Sequence, residues 1–169
     1  MTEVDDFYAN YGELLAHIPT DKELSLGNWA HETFRRVLVL IMANHLENEV
    51  KTTLTEFSKN KSGNNLVCSF VEKSMEGRYH QFFEWKGNNA NSFFALFGDN
   101  FKKQAGNDVS SNNDLAEGIK AFLEIGRTRN ILVHERFQFI PIGNRTAEEF
   151  YDLFKKALVF VDYLKMKLK

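Results

Sequence analysis

Ile125-Gly126-Arg127-Thr128-Arg129-Asn130-Ile131-Leu132-Val133-His134-Glu135-Arg136 reads as an apolar helix interrupted by arginines, an asparagine and a histidine that fold stability does not ask for. At about 100° per residue, Ala121, Phe122, Ile125, Leu132 and Val133 fall on one arc, the expected core face. Arg127, Asn130 and His134 are related by three and four positions and share another side, where they can touch. Arg129 breaks the pattern. It projects from the middle of the apolar arc, where an arginine is rarely buried without a partner. Either its long stem snorkels along a groove at the edge of the core, or the helix meets a second protein surface there. Both arrangements predict a cleft.

Outward from this stretch the chain reads as helix after helix. Asp114 with Glu117 predicts the start of the motif helix, placed over Leu115 to Glu135. Upstream, Lys102 to Asn113 is rich in Asn, Ser and Gly and is expected to be a long loop. Asn91 or Ser92 is expected to cap a short helix over Phe93, Phe94, Leu96 and Phe97 that ends at Gly98. Before it, Leu66 through Trp85 carries Phe70, Val71, Met75, Tyr79, Phe82, Phe83 and Trp85 at helical spacing, with Arg78 and His80 beside them. Aromatic and basic residues interleaved in this way suit either base stacking or a core. Their helical spacing favours the core.

The N-terminal half follows the same logic. Val4, Phe7, Tyr8, Tyr11, Leu14, Leu15 and Ile18 predict a first helix stopped by Pro19, and Asp21 to Asn28 a polar connection. A long helix is expected from Trp29 to Phe57, with Phe34, Val37, Leu38, Ile41 and His45 on one face. His45 on that stripe reads as a hydrogen-bonded structural histidine. Lys59 to Asn65 is expected to be a loop. Beyond the motif, Phe137 to Asn144 is expected to be extended, and Thr146 with Glu149 forms a capping-box pattern for a last helix carrying Phe150, Phe154, Ala157, Leu158, Val161 and Leu164. The closing lysines, Lys165, Lys167 and Lys169, suit the negative end of that helix.

Composition bounds the function. With 169 residues the chain is expected to be one domain, residues 1–169, large enough to bury a core. Sixteen phenylalanines against two prolines favour a compact helical protein with an aromatic centre. The formal net charge of −2 leaves no basic excess, so a nucleic acid would have to be held by a local patch. The single cysteine, Cys68, excludes a disulfide framework and a cysteine-based zinc site, and its apolar neighbours suggest a buried thiol. The acidic start lacks a signal peptide's pattern, and the run Val37 to Ala43 is too short to span a bilayer. A soluble cytoplasmic protein with no membrane partner is expected. There is no GxSxG, HExxH or phosphate-binding glycine loop.

The spacing from Arg129 to His134, with Asn130 directly after the arginine, resembles the RxxxxH signature of HEPN-domain ribonucleases. Tyr79-His80-Gln81-Phe82-Phe83-Glu84-Trp85, Asn91-Ser92-Phe93-Phe94-Ala95-Leu96-Phe97-Gly98 and Thr146-Ala147-Glu148-Glu149 are similar to one branch of that family, the RiboL-PSP-like HEPN proteins. The resemblance runs from about residue 30 to the C-terminus. It implies an all-α, HEPN-like up-and-down helical bundle with one or two short additional helices, forming a two-fold homodimer. It also implies a metal-independent endoribonuclease without a cofactor. The family context adds toxins and antiviral defence proteins that cleave tRNA, mRNA or rRNA, often beside an antitoxin or a partner ATPase.

The residue types suit that chemistry. RNA carries its own nucleophile in the 2′-hydroxyl, so a protein need only move two protons and stabilise a negative phosphorane. His134, Arg129 and Asn130 are the expected catalytic set: a proton-transfer group, a phosphate fork, and a residue that orients the ring or holds ribose or phosphate. Arg127, Arg136, Arg78 and His80 are the expected substrate-contacting residues. One protomer offers a single motif histidine, and a two-fold axis would bring a second Arg129/His134 set into the same cleft. Three alternatives stand against this reading. The motif could be structural, with Arg127 and Arg129 paired to Glu124 or Glu135. The domain could bind RNA or a nucleotide without cutting, or serve as a dimerising adaptor. Or it could be a helical interaction domain unrelated to nucleic acid.

Overall fold

The computed structural model describes residues 1–17, 24–134 and 142–169. Among them there is no strand, and the order is α1 (Glu3–His17), α2 (Leu24–Ser62), α3 (Asn65–Met75), a 3-10 turn (Tyr79–Gln81), α4 (Asn91–Ala95), α5 (Asp99–Ser111), α6 (Asn113–His134) and α7 (Ala147–Lys167). The expected all-α class holds. Ile18, Pro19, most of Phe137 to Asn144, and Glu135 and Arg136 lie outside the described residues. No helix of the described residues is long and apolar enough to cross a membrane.

The long helix α2 is the spine, packed against α1, α3, α6 and α7. Its deepest row is Leu38, Met42, Leu46, Val50 and Leu54, one residue every four. Of the expected row, Leu38 belongs to that stripe, while Phe34, Val37, Ile41 and His45 lie at its edge, because α2 has neighbours on several sides. Phe34 is stacked on Phe7 with ring centroids 4.8 Å apart. His45 meets Glu3 at 3.6 Å and the edge of Phe154, the structural role expected of it. Neither end of α2 is where the sequence suggests. It begins at Leu24 and runs through the lysine-rich stretch to Ser62, where Gly63, at φ 59°, turns the chain and Asn64 caps α3.

The predicted helix from Leu66 to Trp85 is broken after Met75. Gly77 has φ 71°, a left-handed conformation that other residues adopt at a cost, so the chain leaves the helical path there. The 3-10 turn that follows folds Tyr79 and Phe83 inward, both buried. Phe83 stacks on Phe93 at 4.6 Å, and Phe122 meets Phe160 edge-on at 5.0 Å. These four rings tie the stretch after Met75, α4, α6 and α7 into one core, so Tyr79 and Phe83 are packing, whereas Phe70 on α3 is 72% exposed and stands outside it. Cys68 is buried, as expected.

Lys102 to Asn113 is helix α5 for most of its length and not a loop. The polar residues hide a short row, Phe101, Ala105 and Val109, which packs on the core. Gly98, at φ 92°, sets its start. Asn89, not Asn91 or Ser92, accepts the N–H of Asn91 at 3.0 Å at the head of α4. The capping box at Thr146 and Glu149 is present, with Thr146 Oγ1 accepting the Glu149 N–H at 3.1 Å and Glu149 accepting the Thr146 N–H at 2.7 Å. Phe150, Phe154, Ala157, Val161 and Leu164 are buried as the periodicity requires. Lys165 is paired with Glu49, and Lys167 lies 2.9 Å from Asp108.

Candidate functional site

Helix α6 carries the motif to the surface. Its head is capped by Asn112, whose Oδ1 accepts the Leu115 N–H at 3.1 Å, where the sequence pointed to Asp114. Leu115, Ile119, Phe122, Ile125 and Leu132 then form its buried face. Gly118 lets α7 come close: a Cβ there would meet the Lys156 carbonyl oxygen at 2.9 Å. Towards its end α6 outruns the core. Val133, expected on the buried arc, is 50% exposed, and Ile131 is 37% exposed.

Arg129 takes the first of the two arrangements its position allowed. It is half-buried and lines a narrow crevice with Glu47 of α2, Tyr79 and His80 of the 3-10 turn, and Trp85. The crevice is narrow, with room for about one water. Arg129 Nη1 donates to Asn130 Oδ1 at 3.3 Å. Asn130 therefore bonds the guanidinium, a partner other than the His134 ring, ribose or phosphate that the spacing suggests. The structural pairing with Glu124 does not occur. Glu124 is gripped by Arg145 through two bonds, Nε–Oε1 at 2.8 Å and Nη2–Oε2 at 3.2 Å.

Gly126 fixes the opposite wall. The Trp85 ring lies where a Cβ at Gly126 would be, with Cζ3 only 1.9 Å from that position. Trp85 Nε1 in turn donates to the His80 carbonyl at 2.7 Å. The indole thus pins the 3-10 turn onto α6 and sets His80 beside Arg129. His80 Nε2 lies 3.7 Å from Glu47 Oε2, while Lys51 holds Glu47 Oε1. His80 Nδ1 is buried and makes no hydrogen bond.

Electrostatics follow from this enclosure. Burial pushes the His80 imidazole below the usual histidine range, and the charges of Arg129, Lys51 and His134 push the same way against Glu47. His80 is thereby favoured in its neutral form near pH 7. Burial raises the Tyr79 phenol well above its ordinary value, with Glu47 adding to the effect, so that phenol stays protonated.

The structure therefore brings Arg129 and His80 together at the crevice, with Asn130 joined to them through Arg129, while His134 is not among the lining residues. Arg127, Arg78 and His134 are exposed, and Arg136 lies outside the described residues. Glu47, Lys51, Gly126 and Trp85 were not anticipated as parts of a site. Glu47 and Lys51 are an ordinary i,i+4 pair on a long helix, and no local pattern links them to a histidine in a later turn. The family model described as RiboL-PSP-HEPN matches residues 5–169. No curated protein and no solved structure matches the chain.

Proposed function

The chain belongs to the RiboL-PSP-HEPN family, and from that premise we propose that it is an endoribonuclease that cuts RNA by attack of the 2′-hydroxyl on the adjacent phosphate. The observation that carries this reading is Arg129, bonded to Asn130 at a crevice that also presents His80, while Glu124 is bound to Arg145 instead. A guanidinium so placed grips two oxygens of one phosphate and stabilises the extra charge of the phosphorane. Asn130 fixes the fork, and His134 moves a proton. Exposed Arg127 and Arg78 hold flanking phosphates by charge.

A two-fold dimer fits the same face. Val133 is half exposed and lies about 40° from Arg129 around α6, and its burial against a second copy would bring two motif sets to one RNA strand. A toxin or antiviral defence effector, kept in check by an antitoxin or a partner ATPase, is the role this activity would serve.

The test is incubation of the purified protein with total tRNA and a labelled single-stranded RNA in EDTA, beside Arg129→Ala and His134→Ala. Products ending in a 2′,3′-cyclic phosphate, made by the wild type and not by folded variants, are expected. RNA binding without any product would instead identify a non-catalytic RNA-binding module. No binding even at low salt would remove RNA from consideration.

A further inference from the structure

Cleavage by 2′-hydroxyl attack needs two proton transfers, and the motif supplies one histidine per protomer. A second histidine, His80, lines the crevice beside Arg129 of the motif. His80 is fixed through its own backbone, because the Trp85 indole both donates to its carbonyl and rests on Gly126 of α6. Its two ring nitrogens are not equivalent. Nδ1 is buried without a partner, whereas Nε2 lies at the partly open edge of the ring, 3.7 Å from Glu47 Oε2. Proton exchange at this ring therefore takes place at Nε2.

Resting on the ribonuclease reading above, we infer that His80 is the general base of the reaction, that Glu47 is its positioning residue, and that a motif His134 is the general acid. Neutral His80 Nε2 takes the 2′-hydroxyl proton as the bond between the 2′-oxygen and phosphorus forms. The bond from phosphorus to the 5′-oxygen breaks, and that oxygen receives a proton from the His134 imidazolium. The products are a 2′,3′-cyclic phosphate and a 5′-hydroxyl end. His80 is left cationic and His134 neutral, and proton exchange with water restores both. Glu47 keeps its own charge throughout. Its Oε1 is held by Lys51, and its Oε2 faces the cation that forms on His80.

The groups facing His80 agree with a base. From α2 come Glu47 and Lys51, from its own turn Tyr79, and from α6 Arg129 and His134. Three of these are cationic or become so, and together with burial they keep the ring neutral before reaction. Glu47 opposes them, so its removal makes the imidazolium harder to form.

The experiment measures cleavage against pH for wild type, His80→Gln, Glu47→Gln and His134→Ala. Two substrates are used: an RNA dinucleotide and uridine 3′-(4-nitrophenyl phosphate), whose leaving group needs no proton. His80→Gln is expected to lose about 10²–10⁴-fold on both substrates, and its rate no longer falls in acid. His134→Ala is expected to be slow on the dinucleotide and to regain most of its rate on the nitrophenyl ester. Glu47→Gln moves the acid limb of the profile to lower pH, which a purely structural role for Glu47 would not do. If His80→Gln fails to fold by circular dichroism, that movement decides: a displaced limb sustains the inference, and an unmoved limb overturns it. A folded His80→Gln that keeps its acid limb and cuts within threefold of wild type overturns the inference alone, leaving Arg129 and His134 as the site. Absence of cleavage by wild type overturns the ribonuclease reading and this inference together.

Discussion

At His80, burial and the surrounding cations both favour the neutral ring, which ties folding stability to pH as well as chemistry to pH. Between the ordinary histidine value of 6.5 and the lower value in the fold, the unfolded chain binds a proton that the folded chain does not. Stability therefore falls as pH drops through that window. Asp5 and Asp108 act in a separate window. Asp5 is held below the ordinary 3.8 first by the Thr2 backbone N–H and then by Tyr151, and Asp108 first by Lys167 and then by Tyr163. Their contribution is present above 3.8 and is lost as pH falls through their lower folded values. Urea denaturation across pH should show two declines, of which His80→Gln removes only the upper one. Arg129→Lys is expected to keep RNA binding but to lose about 10²-fold in cleavage, because an ammonium carries the charge without the two-pronged fork. Filter binding and single-turnover cleavage, measured side by side, separate the two effects. The importance of Arg129 was legible in the sequence because a charge on an apolar arc demands a reason. The importance of Glu47 was not, since its partner lies on a different element.

The element that organises the site is α6, and its two glycines have different work. Gly118 allows α7 to approach, and Gly126 seats Trp85. Gly126→Ala gains roughly up to 1 kcal/mol in helix propensity. That gain is outweighed, because the added carbon overlaps a rigid ring and overpacking costs about 1–3 kcal/mol. Thermal unfolding should show net destabilisation, and cleavage should fall further than the stability loss explains, since Trp85 also anchors His80. Trp85→Phe keeps most of the ring and removes the indole N–H. It should leave the fold intact and loosen His80, which would appear as broadened His80 ring signals and a reduced rate. Capping was legible at Thr146, where donor and acceptor are three residues apart. It was misread at α4 and α6, where Asn89 and Asn112 accept the free backbone N–H groups. Helix α5 was taken for a loop because its apolar row is only three residues long. Those three residues suffice because the core beneath them is already built.

For the whole molecule, the dimer proposed above is tested at exposed Val133. Val133→Asp should shift a dimer to monomer in light scattering, with little change in Tm because the side chain lies outside the protomer core. If each protomer carries its own base and acid, that monomer should keep single-turnover cleavage of a dinucleotide while losing affinity for long RNA. A site that requires motif residues from both chains would instead lose both activities. With a formal net charge of −2, the overall field does not attract RNA. If the proposed RNA binding holds, it depends on a local arginine set, and its salt dependence should correspond to only a few phosphates.

The helical class, the aromatic core, the last helix with its capping box and the exceptional status of Arg129 and His134 were determined by the sequence itself. Each rests on spacing within one helix, where residue periodicity translates directly into geometry. Tertiary structure alone decided that the aromatic stretch after Met75 breaks at Gly77, that Trp85 closes on Gly126, and that Glu47 and His80 meet beside Arg129. These contacts join residues from α2, the 3-10 turn and α6. Which side chains meet there depends on how the shared core brings three separate elements together, and no local periodicity records that.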